Sequence, residues 1–294
     1  MNSSYSPGPE FFRHAQERSA LIVEGGGLRT IFAAGILDRF IELDFFPFDA
    51  CFGVSAGAGA LAGYLAQMPM RTHKILLDYS LRPEFISTWR FLRGGHLLDL
   101  DWLWPLTVSE VPLDMATIYR RSRPFFVGMT DVESGQAVHI ATREDNLVDA
   151  LKASSALPLL YRGFPVVDGR AMTDGGVTDP IPVAQAIKWG AKKIMVIRSR
   201  PTGYRKRSSR LESLALKALL REQPTLTNAA RGRAERYNQA IELIRRPPSG
   251  VTVIEASPSA KFKVARTGRN AAELRAGYEL GKLEADNLVR QWYD

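Results

Sequence analysis

Short apolar runs that end in glycine, each followed by a stretch with helical spacing, occur twice near the start of the chain. The run at 20–24, ALIVE, is followed by three glycines, and apolar residues then recur at roughly helical spacing from Ile31 to Ile41. A second run, at 48–54, enters Ser55-Ala56-Gly57 and continues into AGALAGYLAQ, whose small residues let a helix lie close to a sheet. Two successive units of this kind predict an α/β protein.

The rest of the chain continues this pattern. Further strands are predicted at 124–129, 136–141, 192–197 and 251–256, and helices near 145–153, 181–189, 209–220, 226–244 and 271–292. Residues 77–112 mix aromatics, glycines and charges without a sustained period. We predict an N-terminal extension at 1–19 and one domain at 20–294, built as three α/β/α layers around a mostly parallel sheet, with a helical C-terminal third.

A serine lies at the second strand-to-helix turn. Gly53-Val54-Ser55-Ala56-Gly57 matches G-x-S-x-G, in which flanking glycines allow the crowded backbone that exposes a nucleophilic serine. Taken alone, the pattern also describes a glycine-rich turn before a helix. The strand before it and the helix after it favour the nucleophile.

A serine nucleophile needs a base, and the histidines limit the choice. They are His14, His73, His96 and His139. The α/β-hydrolase order of serine, acid and histidine requires a histidine after the acid, and none follows His139. An order of Ser55, His139 and Asp174 stays open, although the alternating run QAVHIA is typical of a partly buried strand histidine.

Aspartate is the better candidate for the base. Asp174 stands between a predicted strand and a glycine turn, in MTDGGV, shortly before the run DPIP. The competing carboxylates are Asp131, Asp168 and Asp179, of which Asp168, in Val-Asp-Gly, is read as a turn residue. A third element, Glu24-Gly25-Gly26-Gly27-Leu28-Arg29, places consecutive N–H groups at a strand-to-helix turn, where an oxyanion could bind.

These three elements together resemble the patatin-like phospholipase family, whose pattern is G-G-G-x-[R/K], then G-x-S-x-G, then D-G-[A/G], in that order. The resemblance runs from about Leu21 to Pro182, includes ASSALP at 153–158 and weakens in the C-terminal third. One departure is Thr30, where the family usually has glycine. Arg29 could favour negative charge at the loop or hold the loop by pairing with a carboxylate.

The resemblance implies a patatin-like fold and a serine acyl hydrolase acting on ester lipids, without metal or organic cofactor. Its dyad lacks histidine, with Ser55 as nucleophile and Asp174 as base, and an acyl-serine intermediate forms. The residues carried over for the oxyanion hole are Gly25, Gly26, Gly27, Leu28 and Arg29, and for the elbow and turn Gly53, Gly57, Gly175 and Gly176.

Other functions stay open. An acyltransferase or thioesterase would use the same dyad. A nucleotide- or phosphate-binding protein could use the turn at Gly25, although the spacings of G-x-G-x-x-G and of the P-loop are absent from the sequence. No recognisable nucleic-acid motif is present, so no nucleic-acid partner is expected.

Charge and composition bear on partners and location. The formal net charge is +8, and the segment 198–210, from Arg198 to Arg210, carries six basic residues that could touch an anionic membrane surface, although an ordinary solvated loop explains them as well. The aromatic residues Trp89, Phe91, Trp102 and Trp104 suit either an acyl site or core packing.

The remaining sequence signals concern compartment. A single cysteine, Cys51, excludes an internal disulfide and a cysteine-rich metal site. The first twenty residues lack the apolar stretch of a cleaved signal peptide. We therefore expect a cytoplasmic protein with peripheral membrane contact as an option.

Overall fold

The computed structural model describes residues 17–120 and 123–294. Its strands form one eight-stranded sheet in the order β5-β6-β3-β2-β1-β7-β8, with β4 also paired to β3. The strands are β1 Ser19–Val23, β2 Ala50–Val54, β3 Phe125–Asp131, β4 Ala137–Ala141, β5 Val166–Val167, β6 Arg170–Asp174, β7 Lys193–Ile197 and β8 Thr252–Ala256.

Helices connect and cover these strands. Between residues 71 and 120 they are α3 Arg71–Lys74, α4 Thr88–Leu92, α5 Leu100–Glu110 and α6 Met115–Arg120, with a π-helical turn at Ile75–Tyr79. The others are α1 Ile31–Glu42, α2 Ala56–Leu65, α7 Leu147–Ser154, α8 Val183–Trp189, α9 Arg210–Leu219, α10 Pro224–Arg231, α11 Arg233–Arg245 and α12 Ala271–Tyr293.

The central parallel strands are buried on both faces. Leu21 and Val23 of β1 belong to a core shared with α1, α2, α7 and α12. Ala20 and Ile22 point the other way, into a second core with α8 and α11. Because neighbouring side chains of a strand alternate between faces, helices on both sides are needed to cover this sheet. The predicted three-layer α/β/α fold is confirmed.

The C-terminal helix packs closely on the first. A Cβ atom added to Gly281 of α12 would lie 2.1 Å from the carbonyl oxygen of Phe32 in α1, and one added to Gly35 would lie 2.1 Å from that of Tyr278. The Tyr278 hydroxyl donates to Asp38 Oδ2 of α1 at 2.9 Å. Strand β8 and helix α12 thus belong to the same sheet and core as the rest, while the boundaries of the single domain, 20–294, stay a prediction.

The structure corrects several predicted elements. The helix expected at 226–244 is divided at Gly232 into α10 and α11, because glycine has a low helix propensity and holds ψ at 0° here. Residues 77–112 show no sustained hydrophobic period because they form several separate helices. One of these, α5, contains Pro105. Residues 1–16 of the predicted extension at 1–19 lie outside the described residues. Ser19, the last residue of that prediction, already belongs to β1.

The arrangement around β3 positions the residues singled out above. Strand β4 pairs with residues 126–130 of β3, and some of these residues also pair with β2 and others with β6. Because β4 occupies one edge of β3, β2 and β6 both lie along its other edge. There β2 ends with Val54 beside Gly128, and β6, running the other way, ends with Asp174 beside Met129. The carboxyl ends of β2 and β6 therefore meet head to head.

Within the described ranges, no helix is both long and apolar enough to cross a bilayer.

Candidate active site

The turn between β2 and α2 has a strained backbone at Ser55. Its φ of 56° and ψ of −139° are unusual for a residue with a side chain. The two motif glycines allow the turn to pack: a Cβ on Gly57 would lie 2.6 Å from the carbonyl oxygen of Val23, and one on Gly53 would lie 2.5 Å from the Cα of Ala58. The chain thus presents the Ser55 side chain to a pocket.

Asp174 contacts this serine directly. Ser55 Oγ donates to Asp174 Oδ2 at 2.9 Å, and the N–H of Gly176 donates to Oδ1 of the same carboxylate at 2.6 Å. Gly175 lies against β3, since a Cβ there would be 2.3 Å from the carbonyl oxygen of Gly128. Burial raises the pKa of Asp174, and the charge of Arg233 and the hydrogen bonds from Gly176 and Ser55 oppose that rise. A carboxyl group with a raised pKa accepts a proton more readily.

Sequence reasoning missed the function of Ser154. Its hydroxyl, at the end of α7, accepts the Ser55 N–H at 2.7 Å and donates to the carbonyl oxygen of Gly128 at 2.6 Å. Ser154 is fully buried. It therefore links the strained turn to the central strand β3. The available signal was the segment ASSALP, which the family resemblance included without a role for its second residue.

The glycine-rich loop lies against the serine. A Cβ on Gly25 would be 2.5 Å from the Cβ of Ser55, and Gly26 precedes a short 3-10 turn that starts at Gly27 with a φ of 57°. The N–H of Leu28 already donates to the carbonyl oxygen of Arg266 at 3.0 Å, and that of Arg29 donates to Gly26 at 3.3 Å. These two donors, both predicted for the oxyanion hole, are used within the protein, so we restrict that prediction to Gly25, Gly26 and Gly27.

The geometry of this loop bears on Thr30 and Arg29. Thr30, where the family usually has glycine, adopts ordinary helical angles, with a φ of −63° and a ψ of −10°, so no glycine is required. Arg29 is 4% exposed and lines the pocket. Burial first, and then the charges of Arg266 and Arg200, lower its pKa to about 9 against the opposing charge of Glu24. The carboxylate of Glu24 accepts the Ser199 N–H at 2.8 Å.

The competing base candidates have other contacts. His139 Nε2 lies 3.1 Å from Asp179 Oδ2, and His139 is not among the residues that line the pocket. Asp131 pairs with Arg170 at 2.6 Å. Asp168 has a φ of 47° in the turn between β5 and β6, as expected of a turn residue, and its carboxylate pairs with Arg143 at 3.1 Å. Of these carboxylates, Asp174 is the one that contacts Ser55.

The pocket that contains Ser55 has an apolar part, lined mainly by residues between 75 and 104. Trp104 is the member of the predicted aromatic group that lines it, whereas Trp89 is 62% exposed and Phe91 and Trp102 pack elsewhere. The apolar lining consists of Ile75, Leu76, Phe85, Ile86, Leu98, Leu100, Leu103, Trp104, Leu157 and Leu160. A lining of this composition suits an alkyl chain.

The other part of the pocket lining is basic. Its half-buried members come from the second half of the chain: Arg200, Lys206, Arg233 and Arg266. Arg198, in contrast, is 1% exposed and binds Glu255 at 2.5 Å, so the prediction that it belongs to a membrane-facing segment is wrong. Membrane contact stays a prediction for the exposed residues of 198–210, such as Arg207.

Comparison with known proteins decides the family. A family model described as patatin-like phospholipase matches residues 21–187. The chain belongs to the patatin-like phospholipase family. Membership of this family indicates hydrolysis of lipid acyl esters, and it confirms the resemblance seen in the sequence motifs.

Several relatives of this patatin-like chain extend the comparison. The protein YjjU of Escherichia coli K12 is 34% identical over 276 residues, which cover 90% of this chain and 75% of that protein. The NTE family protein Rv1063c of Mycobacterium tuberculosis is 28% identical over 57% of this chain and 45% of its own length. The triacylglycerol lipase ptl2 of Schizosaccharomyces pombe is 26% identical over 60% of this chain and 32% of the lipase.

A second family model covers the end of the patatin-like chain. A domain of unknown function, DUF6363, matches residues 223–294. This segment contains α10, α11, β8 and α12, and it supplies Arg233, Tyr237 and Arg266 to the pocket lining. The region matched by the second model therefore contributes side chains to the same pocket as Ser55 and Asp174.

Proposed function

We propose that this patatin-like protein is a serine acyl hydrolase of lipid esters, in which Ser55 is the nucleophile and Asp174 the base. The observation that supports this most strongly is the 2.9 Å hydrogen bond from Ser55 Oγ to Asp174 Oδ2 beside an apolar pocket. The triacylglycerol lipase among its relatives is a further support for action on acyl esters.

The geometry supports a two-step reaction. Asp174 Oδ2 takes the hydroxyl proton as Ser55 Oγ attacks the carbonyl carbon of the ester, and the N–H groups of Gly25, Gly26 and Gly27 stabilise the oxyanion. When the carbon–oxygen bond to the alcohol breaks, Asp174 gives its proton to the departing oxygen, and the acyl group stays on Ser55 Oγ. Water then attacks the acyl carbon, passing a proton to Asp174, and that proton returns to Ser55 Oγ as the acid leaves.

The elements around the dyad keep the reaction geometry fixed. The Gly176 N–H holds Oδ1 of Asp174 in place, so Oδ2 is available to accept the proton of the serine. Because burial raises the pKa of Asp174, the carboxylate is a stronger base than one in water. The alkyl chain of the substrate lies in the apolar part of the pocket, which positions the carbonyl carbon near Ser55.

A reactive fluorophosphonate probe and p-nitrophenyl esters of increasing chain length test this function. Ser55→Ala and Asp174→Asn should each lower ester hydrolysis by about a thousandfold or more, and Ser55→Ala should abolish labelling. His139→Ala is the matched control, because His139 contacts Asp179 and lies outside the pocket lining. Loss of turnover in His139→Ala with retention in Asp174→Asn would disprove the dyad, and an unreactive wild-type protein would disprove the hydrolase.

A further inference from the structure

The charged residues around the pocket are unequally distributed. Two carboxylates line it, Glu24 and Asp174, and both already accept hydrogen bonds from the protein, from Ser199 and from Ser55 respectively. The cationic side chains are six: Arg29, Arg71, Arg200, Lys206, Arg233 and Arg266. Arg71 borders the apolar part, where its Nε donates to the carbonyl oxygen of Val111 at 2.9 Å. The other five form what we call the cationic cluster.

Arg29 lies at the buried end of the cationic cluster. It is 4% exposed, and its Nε has no hydrogen-bond acceptor among the described residues. Burial first, and then the positive charges of Arg266 and Arg200, lower its pKa, and the charge of Glu24 opposes them. Like charges around a buried guanidinium are unfavourable in a protein interior. Since the lining carries six cationic side chains and two carboxylates, it is suited to a ligand with negative charge.

The cationic cluster lies close to the place where the ester would react. Asp174, which accepts the Ser55 hydrogen bond at 2.9 Å, has its pKa raised by burial and lowered in turn by the positive charges of Arg233 and Arg266. The glycine loop also touches Ser55 at Gly25 and Arg266 at Gly27. These contacts place the cationic cluster beside the serine, where it can meet a charged group attached near the ester.

We propose that the cationic cluster is a subsite for the phosphodiester of a lipid headgroup, and that the preferred substrates are acyl lipids with a net negative headgroup. This inference rests on the proposed hydrolase function. The acyl chain occupies the apolar part of the pocket, and the phosphate contacts arginine side chains, which bind phosphate oxygens through paired N–H donors. A zwitterionic headgroup adds an ammonium group to a region that is already cationic, which disfavours it.

The C-terminal region gains a role from this inference. Arg233 and Arg266 belong to the segment 223–294, outside the match to the patatin-like model, and Arg200 and Lys206 also follow that match. Four of the five cationic side chains thus lie after the part of the chain that carries the motifs. The region matched by the domain of unknown function would supply two of them and so contribute to the choice of headgroup.

Short-chain lipids below their micellar concentration test the subsite without a charged surface. For the wild type we expect kcat/KM for dihexanoyl phosphatidylglycerol to exceed that for dihexanoyl phosphatidylcholine by about tenfold or more, as charge-assisted hydrogen bonds allow. Arg200→Gln and Arg266→Gln should each lower this ratio by about fivefold or more. Arg207→Gln is the matched control: it makes the same charge change on an exposed residue outside the pocket lining, and should keep the wild-type ratio.

The outcomes separate the subsite from the hydrolase. A wild-type ratio near one, or equal ratios in Arg200→Gln and Arg207→Gln, overturns the subsite while hydrolysis of p-nitrophenyl butyrate still supports the hydrolase. If no ester is hydrolysed, calorimetric binding of dihexanoyl phosphatidylglycerol to Ser55→Ala, with and without Arg200→Gln, decides the subsite independently. Equal affinity in the two proteins overturns it, and weaker binding with Arg200→Gln supports it.

Discussion

Ser55 keeps a backbone conformation that costs about 1–3 kcal/mol for a residue with a side chain, so its surroundings must hold it. The Ser154 hydroxyl does so by accepting the Ser55 N–H, and the same hydroxyl binds Gly128 of the central strand. The position of the proposed nucleophile thus depends on a residue that lies 99 positions away in the chain. Ser154 acts through Ser55 and is a positioning residue.

Replacing Ser154 by alanine should separate positioning from binding. Ser154→Ala removes the partner of the partly buried Ser55 N–H and of the buried Gly128 carbonyl, which should lower the free energy of unfolding by about 1–3 kcal/mol. We expect kcat for a p-nitrophenyl ester to fall more than KM rises. Ser155→Ala provides the stability control, since the Ser155 hydroxyl binds the carbonyl oxygen of Leu151 one helical turn earlier at 2.9 Å. Equal stability of the two variants contradicts this role.

The burial of Asp174 also has a consequence for stability. Because the pKa of Asp174 is raised in the folded protein, the folded state binds its proton more tightly than the unfolded state does. The stability of the wild type is therefore reduced as pH rises through that raised pKa. Asp174→Asn removes the buried charge, so its Tm should exceed that of the wild type at neutral pH, although the proposed mechanism predicts that the variant is inactive.

Thermal unfolding of both proteins across pH 4–8 checks this expectation. The Tm advantage of Asp174→Asn should shrink as pH falls toward the ordinary pKa of an aspartate, because the wild-type carboxyl is then protonated as well. A constant difference at every pH contradicts the assignment of the effect to this ionisation.

Among the helices, the pairing of α1 with α12 depends on close backbone contact. Gly35 and Gly281 face each other's helices at distances that leave no room for a side chain. This contact joins an early helix to the last one and covers one face of the sheet. The fit between these helices therefore contributes to the stability of the whole core.

A methyl group at Gly281 should separate the two helices. We expect Gly281→Ala to lower the free energy of unfolding by about 1–3 kcal/mol, because the atom it would strike is a backbone oxygen with little freedom to move. Gly59→Ala in α2 is the matched helical control, since no atom lies within 4 Å of its added Cβ. That variant should be neutral or more stable by up to about 1 kcal/mol. Urea unfolding measures both, and similar losses in the two variants contradict the close contact.

For the whole molecule, the C-terminal segment is part of the structure that holds the site. Helix α12 contributes Leu274, Leu288 and Trp292 to the large core, and β8 is the strand next to β7. Side chains of the segment 223–294 also line the pocket. Neither the core nor the pocket lining is complete without it.

Removal of residues 223–294 should therefore prevent folding. A protein ending at residue 222 leaves the face of α1 exposed and β7 unpaired on one edge, so we expect it to show no cooperative thermal transition by circular dichroism and to aggregate. The full-length chain is the control. A soluble, cooperatively unfolding truncated protein would show that the segment is dispensable.

Local signals account for what the sequence predicted. The strands and the turns at Gly25, Ser55 and Asp174 depend on residues that are neighbours in the chain, so periodicity and motif spacing detected them. The link from Ser154 to Ser55, the burial of Arg198 and the cationic cluster depend on residues brought together by the order of the strands. No local pattern contains that order, so a basic segment looked uniformly exposed although Arg198 is in the core.

The head-to-head meeting of β2 and β6 determines when the site can form. Ser55 and Asp174 are 119 residues apart, and their contact requires β6 to pair with β3 beyond the end of β2. A ribosome-bound chain that has emerged only as far as residue 169 has the serine but lacks its proposed base, and three arginines of the pocket, Arg200, Arg233 and Arg266, emerge later still. By the proposed mechanism such a chain cannot attack an ester, so a nascent protein stays inert toward membrane lipids until most of it has been synthesised.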